Sequence, residues 1–171
     1  MKTNALSVAN YFIELAERDN AKITPLRLMK LVYIAYGFGL ALLDKSFLDS
    51  RFDKVEAWRF GPVIPSVYHS FKHFGKGPIT RKTTMLVGND TDYTVITPEL
   101  EDEDVKNICR LVWKRYEHCD ANTLVTILHG AGTPWGQTYE EGKNNPIPEQ
   151  YTRAYYKSLV ERMEKYLEAH A

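Results

Sequence analysis

Apolar residues recur along this chain mostly at three- and four-residue intervals, the spacing that places them on one face of an α-helix. The first such stripe predicts a helix from about Ala5 to Arg18. A second helix is predicted from Leu26 to Leu43, with Thr24 as its N-cap and Pro25 in its first turn. Because this second helix is apolar on several sides, we expect it to be buried at the centre of the domain.

The rest of the chain alternates between helical spacing and one β-favouring region. Two short β-favouring runs, Met85–Val87 and Tyr93–Ile96, flank a polar turn and predict a small hairpin that leans on the helices as the only sheet. The predicted fold is mainly α, a compact single-domain helical fold over residues 1–171 around a buried central helix, with a small β-hairpin insertion. Further helices are predicted at Pro65–Phe74, Glu101–Glu117, Ala121–His129 and from about Pro148 onward.

Three residues interrupt the apolar pattern of the central helix. Lys30 is expected to extend its ammonium group to solvent or to pair with a carboxylate, and a buried catalytic lysine is the less common alternative. Gly37 and Gly39 lower helix propensity, and the simplest reason for them is the close approach of another helix.

Charge and cysteine content narrow the possible partners and compartments. The 22 Lys and Arg residues balance 22 Asp and Glu residues, which argues against a dedicated nucleic-acid binder. The two cysteines suggest a reducing compartment. The N-terminus lacks a signal-peptide pattern, and the longest apolar run, broken by Arg27 and Lys30, is short for a membrane span. We therefore expect a cytoplasmic protein with no membrane association.

The candidate catalytic and metal-binding groups do not combine into a recognisable site. His69 and His73 have a helical metal-ligand spacing, but no further ligands follow at zinc-like intervals. His118 and Cys119 are adjacent and would point about 100° apart on a helix. Phosphate loops, dinucleotide fingerprints and nucleophile elbows are absent from the sequence. We expect no catalytic residues, no metal, no cofactor and no enzymatic activity.

The segment from Glu56 to Pro65 has the most restrictive composition in the chain. Gly61 allows backbone angles that other residues resist, and Pro62 fixes its own φ. Such a segment holds one shape, which suits either a well-formed turn or a binding surface. If the segment is extended, Trp58 and Arg59 point to opposite sides, so that an inward Trp58 leaves Arg59 exposed.

These segments together resemble a known family. The apolar helix with its Thr-Pro start, followed by Trp58-Arg59-Phe60-Gly61-Pro62-Val63 and later by His129 and Pro134-Trp135, is similar to the Panacea domain, also called the SocA-like antitoxin or phage-associated GepA-type domain. The resemblance extends from about Ala5 to about Leu159. The family pattern would place a glutamine where this chain has Met29, so no polar role is expected there.

The resemblance implies an antitoxin that neutralises a cognate toxin protein by direct binding, in some members as an adaptor that delivers the toxin to a protease. Two alternatives remain open: a phage-encoded modulator of host proteins, and an enzyme with a site near His129, Trp135 and Trp58. His129 also has a purely structural interpretation, as a cap for the last carbonyls of its helix. The expected protein-binding residues are Trp58, Arg59, Phe60, Gly61, Pro62, Tyr68, His129 and Trp135.

Overall fold

The structure is a computed structural model that describes residues 2–171, and these residues form a mainly helical fold, as the sequence predicts. Six α-helices are joined by a short 3₁₀ turn at Lys72–Phe74 and by five short strands. The helices are α1 Ala5–Arg18, α2 Pro25–Leu43, α3 Pro65–Phe71, α4 Glu103–Arg115, α5 Ala121–Leu128 and α6 Glu149–Ala169. The strands are β1 Glu56–Trp58, β2 Gly61–Val63, β3 Met85–Asn89, β4 Asp92–Ile96 and β5 Asn145–Pro146.

Polar caps fix the starts of the helices. Thr24 accepts a hydrogen bond from the backbone N–H of Arg27 at 3.4 Å, and Pro25 occupies the first turn of α2. Asn4 and Ser7 form a reciprocal capping box at the start of α1. These caps explain why helix starts could be predicted closely from the sequence.

Helix α2 is the central element, and α1, α4, α5 and α6 all contact it. Nearly every side chain from Arg27 to Leu40 is buried. At 19 residues it is the one helix within residues 2–171 that is long and apolar enough to cross a membrane, so the expectation that it is too short is wrong. Its apolar window is 78% buried inside the domain, which is the environment of a core helix.

The α2–α6 contact explains one of the two helical glycines. A Cβ at Gly37 would lie 2.2 Å from Cδ2 of Tyr156, a fully buried ring on α6. Tyr33 on α2 also shares a 3.1 Å hydrogen bond with the hydroxyl of Thr152 on α6. The predicted close approach of another helix at Gly37 is confirmed. Gly39 instead faces the chain that follows α2, where a Cβ would lie 3.7 Å from the carbonyl oxygen of Lys45.

The sheet content differs from the sequence prediction in two ways. The predicted hairpin is present as β3 and β4, but its outer face is exposed rather than packed on helices. A second, three-stranded antiparallel sheet has the order β2-β1-β5, so the hairpin is not the only sheet. The second sheet was missed because its strands are only two or three residues long and include Pro62 and Pro146.

Candidate protein-binding site

The β1–β2 hairpin carries the central part of the predicted site. Trp58 pairs with Gly61, so that Arg59 and Phe60 form a two-residue turn between the strands. Gly61 has φ +109°, a conformation that favours glycine. The chain turns here rather than running extended, so the alternation expected of an extended segment does not apply. Arg59 is exposed as predicted, and Phe60 is exposed beside it. Phe60 is 60% exposed, and the Arg59 guanidinium lies 5.5 Å from the centre of its ring.

Two side chains from the segment that follows α5 support this turn. His129 donates from Nε2 to the carbonyl oxygen of Arg59 at 3.0 Å. Trp135 donates from Nε1 to the carbonyl oxygen of Trp58 at 2.7 Å. The two rings stack at 3.8 Å and 18°, and Tyr139 continues the stack behind Trp135. The expected role of His129 as a cap of α5 carbonyls is wrong, since its imidazole bonds the hairpin instead.

Lys30 holds the same hairpin from within the core. Its side chain is 0% exposed, and Nζ donates to the carbonyl oxygen of Pro62 at 2.8 Å. Burial disfavours the charged ammonium and lowers the pKa of Lys30 to about 7. Lys30 therefore neither reaches solvent nor pairs with a carboxylate, and both expectations for it are wrong. A Cβ at Gly61 would lie 3.2 Å from Nζ, so the glycine also leaves room for the lysine.

A groove of about 450 Å³ opens between the hairpin, the start of α2 and the end of α3. Trp58 forms part of its wall: its ring is half-buried, packs edge-on against Tyr68 at 4.9 Å, and donates from Nε1 to Glu56 at 2.8 Å. Met29 is buried and forms part of the inner wall of the groove. The lining is largely apolar and consists of Pro25, Leu26, Met29, Lys30, Trp58, Arg59, Phe60, Val63, Tyr68, Lys72, Gly75 and Lys76.

Arg59 also borders a second depression on the other side of the hairpin. This cavity of about 400 Å³ is lined by Arg59, by Tyr139 and by the loop 141–144. Arg59 therefore stands on a ridge between two concave surfaces and is accessible from both. The sequence predicted its exposure but could not place a concave surface on either side of it.

The structure brings all eight predicted residues into one region, but only some of them line the groove. Trp58, Arg59, Phe60 and Tyr68 line the groove. Gly61 and Pro62 form the supporting strand, and His129 and Trp135 support the turn from the opposite side without lining the groove. Sequence reasoning missed the groove residues Leu26, Met29, Lys72 and Lys76. A lone lysine within an apolar helix was the one signal that pointed to Lys30.

This arrangement bears on the alternative of an enzyme. An active site at Trp58, His129 and Trp135 would need a polar cavity that joins them, and the groove is mainly apolar and excludes the last two. Lys30 has a strongly lowered pKa, but Nζ is bonded to the Pro62 carbonyl within the core. Among residues 2–171, no group of three His, Cys, Asp or Glu side chains could hold a metal ion.

Comparison with known proteins identifies the family. The family model described as "Antitoxin SocA-like, Panacea domain" matches residues 28–136, which include most of α2, the β1–β2 hairpin, α5 and Trp135. The chain is 30% identical over 132 residues to Antitoxin SocA of Caulobacter vibrioides (strain NA1000 / CB15N), covering 77% of this chain and 68% of the relative. No solved structure matches. This chain belongs to the SocA-like antitoxin family and carries its Panacea domain.

Proposed function

We propose that this chain neutralises a cognate toxin by binding it directly, and that the toxin contacts the hairpin surface, defined as Trp58, Arg59, Phe60 and Tyr68 with the adjoining groove. Aromatic and arginine side chains dominate the energetics of many protein interfaces. The observation that carries the proposal is the support of the hairpin: three of its carbonyls accept hydrogen bonds from Lys30, His129 and Trp135. A turn already held in one conformation loses little entropy when a partner binds.

Binding alone accounts for neutralisation in this proposal, with no catalytic step. The toxin would be inactivated because the hairpin surface covers part of it, or because the complex presents it to a protease. These two routes predict different fates for the toxin: a stable complex in the first, and toxin loss that depends on a protease in the second. We further propose that the protein acts in the cytoplasm, where free thiols such as those of Cys109 and Cys119 persist.

Co-expression tests the proposal. The protein encoded next to this chain is expressed alone and together with it, and growth is recorded. We expect growth arrest with the neighbour alone, growth with both, and co-elution of the two proteins on size exclusion. Persistent arrest together with separate elution would exclude the antitoxin role for this pair. Measuring toxin half-life with and without cellular proteases then separates occlusion from delivery.

A further inference from the structure

The groove beside the hairpin combines an apolar interior with a cationic rim. Its inner wall is formed by apolar side chains from three elements, among them Leu26 and Met29 of α2 and Tyr68 of α3. Lys72 and Lys76 are exposed at one edge, and Arg59 is exposed at the other. The ammonium group of Lys72 also lies 5.9 Å from the centre of the Tyr68 ring, so the positive charge adjoins the apolar wall directly.

The charge of this groove is one-sided, although the whole chain has equal numbers of acidic and basic residues. Four of the residues that line it are basic, counting the buried Lys30, and none is acidic. The adjacent carboxylate of Glu56 accepts the indole N–H of Trp58 at 2.8 Å. Glu56 keeps its negative charge in this bond, so a ligand that fills the groove meets apolar surface inside and, at the edge, three exposed basic side chains against one adjacent carboxylate. This net positive charge favours negative charge on the ligand.

The size of the groove fits side chains of a polypeptide. A volume of about 450 Å³ lies within the range of specific binding pockets and holds a few large side chains. Recognition of this kind uses an amphipathic segment whose apolar anchors enter the groove while its polar residues remain at the edge. A nucleic acid would instead require a cationic track along its phosphates, and the interior of this groove is apolar.

We propose that the groove binds a segment of the toxin that carries large apolar anchors flanked by Asp or Glu residues. This inference rests on the toxin-binding role proposed above and adds the chemistry of the bound segment. The apolar anchors bury against Leu26, Met29 and Tyr68. The flanking carboxylates lie near Lys72, Lys76 and Arg59, where opposite charge speeds association and selects the register of the segment.

A first experiment uses peptide probes and does not depend on the toxin. Two labelled helical peptides share the same Leu and Phe anchors, with Glu at the remaining positions of one and Lys at those of the other. By fluorescence anisotropy at low salt we expect the Glu peptide to bind roughly tenfold more tightly or better, with a preference that decreases as salt rises. An unlabelled single-stranded DNA is then added as a competitor. If it displaces the labelled Glu peptide as well as unlabelled Glu peptide does, the groove is a general polyanion site and the proposal is overturned.

A second experiment uses charge reversal in the full chain. Lys72→Glu combined with Lys76→Glu should abolish the preference for the Glu peptide and weaken the toxin complex by roughly tenfold. The matched control, Lys157→Glu combined with Lys165→Glu, reverses two exposed lysines on α6 and should change neither value. Unchanged toxin affinity in the groove variant, or peptides that show no charge preference, would overturn the proposal.

These outcomes separate the two proposals. If the wild-type chain neither rescues growth nor forms a complex with its neighbour, the antitoxin proposal fails and the toxin segment with it. If the wild-type chain rescues growth and the Lys72→Glu, Lys76→Glu variant binds the toxin as tightly as the wild type, only the inference about the groove fails. A circular-dichroism spectrum matching the wild type shows that the variant is folded before either conclusion is drawn.

Discussion

Arg59 and Phe60 are exposed side chains on a backbone that residues from other elements hold in place. Their turn is bonded through Arg59 itself, through Trp58 before it and through Pro62 after it. Support and partner contact therefore fall to different residues. The supporting side chains maintain the shape of the turn, and the exposed side chains remain free to contact a partner. Substitutions in the two groups should therefore have different consequences.

Arg59→Glu tests the exposed group. The Arg59 side chain is exposed and its backbone carbonyl is unaffected by the change, so the fold should be retained. We expect toxin affinity to fall by about 2 kcal/mol, roughly thirtyfold, as for an interface arginine at a hot spot. Calorimetry measures the affinity, and circular dichroism checks the fold. The matched control is Arg162→Glu on the exposed side of α6; if it weakens binding while Arg59→Glu does not, the final helix is the interface.

Lys30 makes the stability of the fold depend on pH. Its pKa is about 7 in the folded protein and near the ordinary 10.5 in the unfolded chain, so between these values the unfolded chain binds more protons. The free energy of unfolding therefore rises with pH through this window, by about 1–2 kcal/mol from about pH 7 to about pH 8.5. Below pH 7 Lys30 is protonated in both the folded and the unfolded chain, so its contribution to the free energy of unfolding becomes constant. The measurement stops at about pH 8.5 because burial also raises the pKa of the Cys109 thiol. At higher pH the thiol ionises in the unfolded chain first, which lowers the free energy of unfolding and opposes the effect of Lys30.

Urea unfolding across this window measures the effect. Lys30→Met removes the titrating group while keeping an unbranched side chain, so its stability should rise much less with pH than that of the wild type. Lys157→Met, at an exposed position of α6, is the control and should retain the wild-type slope. An equal slope in the Lys30→Met variant would assign the pH dependence to other groups.

At the scale of elements, the helices were predictable because their signals are local. Thr24 and Pro25 mark the start of α2, and Asp120 marks the start of α5, each within a few residues of the groups it caps. The contacts of Lys30 and His129 were not predictable, since their acceptors lie 32 and 70 positions away in the chain. The sequence thus predicted a rigid turn with an exposed arginine, but neither the β1–β2 pairing nor the residues that support the hairpin, which emerge only from tertiary packing.

The two glycines of α2 form a matched pair for testing helix packing. Gly37→Ala gains up to about 1 kcal/mol of helix propensity, but its Cβ collides with the buried ring of Tyr156, and such overpacking typically costs about 1–3 kcal/mol. We expect a net loss of stability. Gly39→Ala makes the same propensity change, and its nearest non-helical neighbour is at 3.7 Å, so it should be neutral or stabilising. Thermal melts of both variants compare them, and equal melting temperatures would mean that α6 shifts freely.

At the scale of the whole molecule, the protein consists of a packed helical body and an exposed β3–β4 hairpin. Leu86, Tyr93 and Val95 share the outer face of this hairpin and are 63%, 58% and 63% exposed. The hairpin is attached to the helical body at its base, through the segments that precede β3 and follow β4. Asn10, buried on α1, donates to the carbonyls of Thr83 and Pro98 at 3.1 and 2.9 Å and accepts from the N–H of Thr83 at 2.9 Å.

Replacing residues 86–95 with a short Gly-Ser linker tests this division. Because the outer half of the hairpin buries little apolar surface, the free energy of unfolding should change by less than about 1 kcal/mol. The contrasting variant, Asn10→Ala, removes three hydrogen bonds and should cost about 2–3 kcal/mol, since the buried carbonyl of Pro98 and the partly buried N–H and carbonyl of Thr83 lose their partner. Urea denaturation measures both. The linker variant should also still rescue growth in the co-expression assay, because it leaves the proposed toxin site intact; loss of rescue by a fully stable variant would place part of the toxin interface on the hairpin.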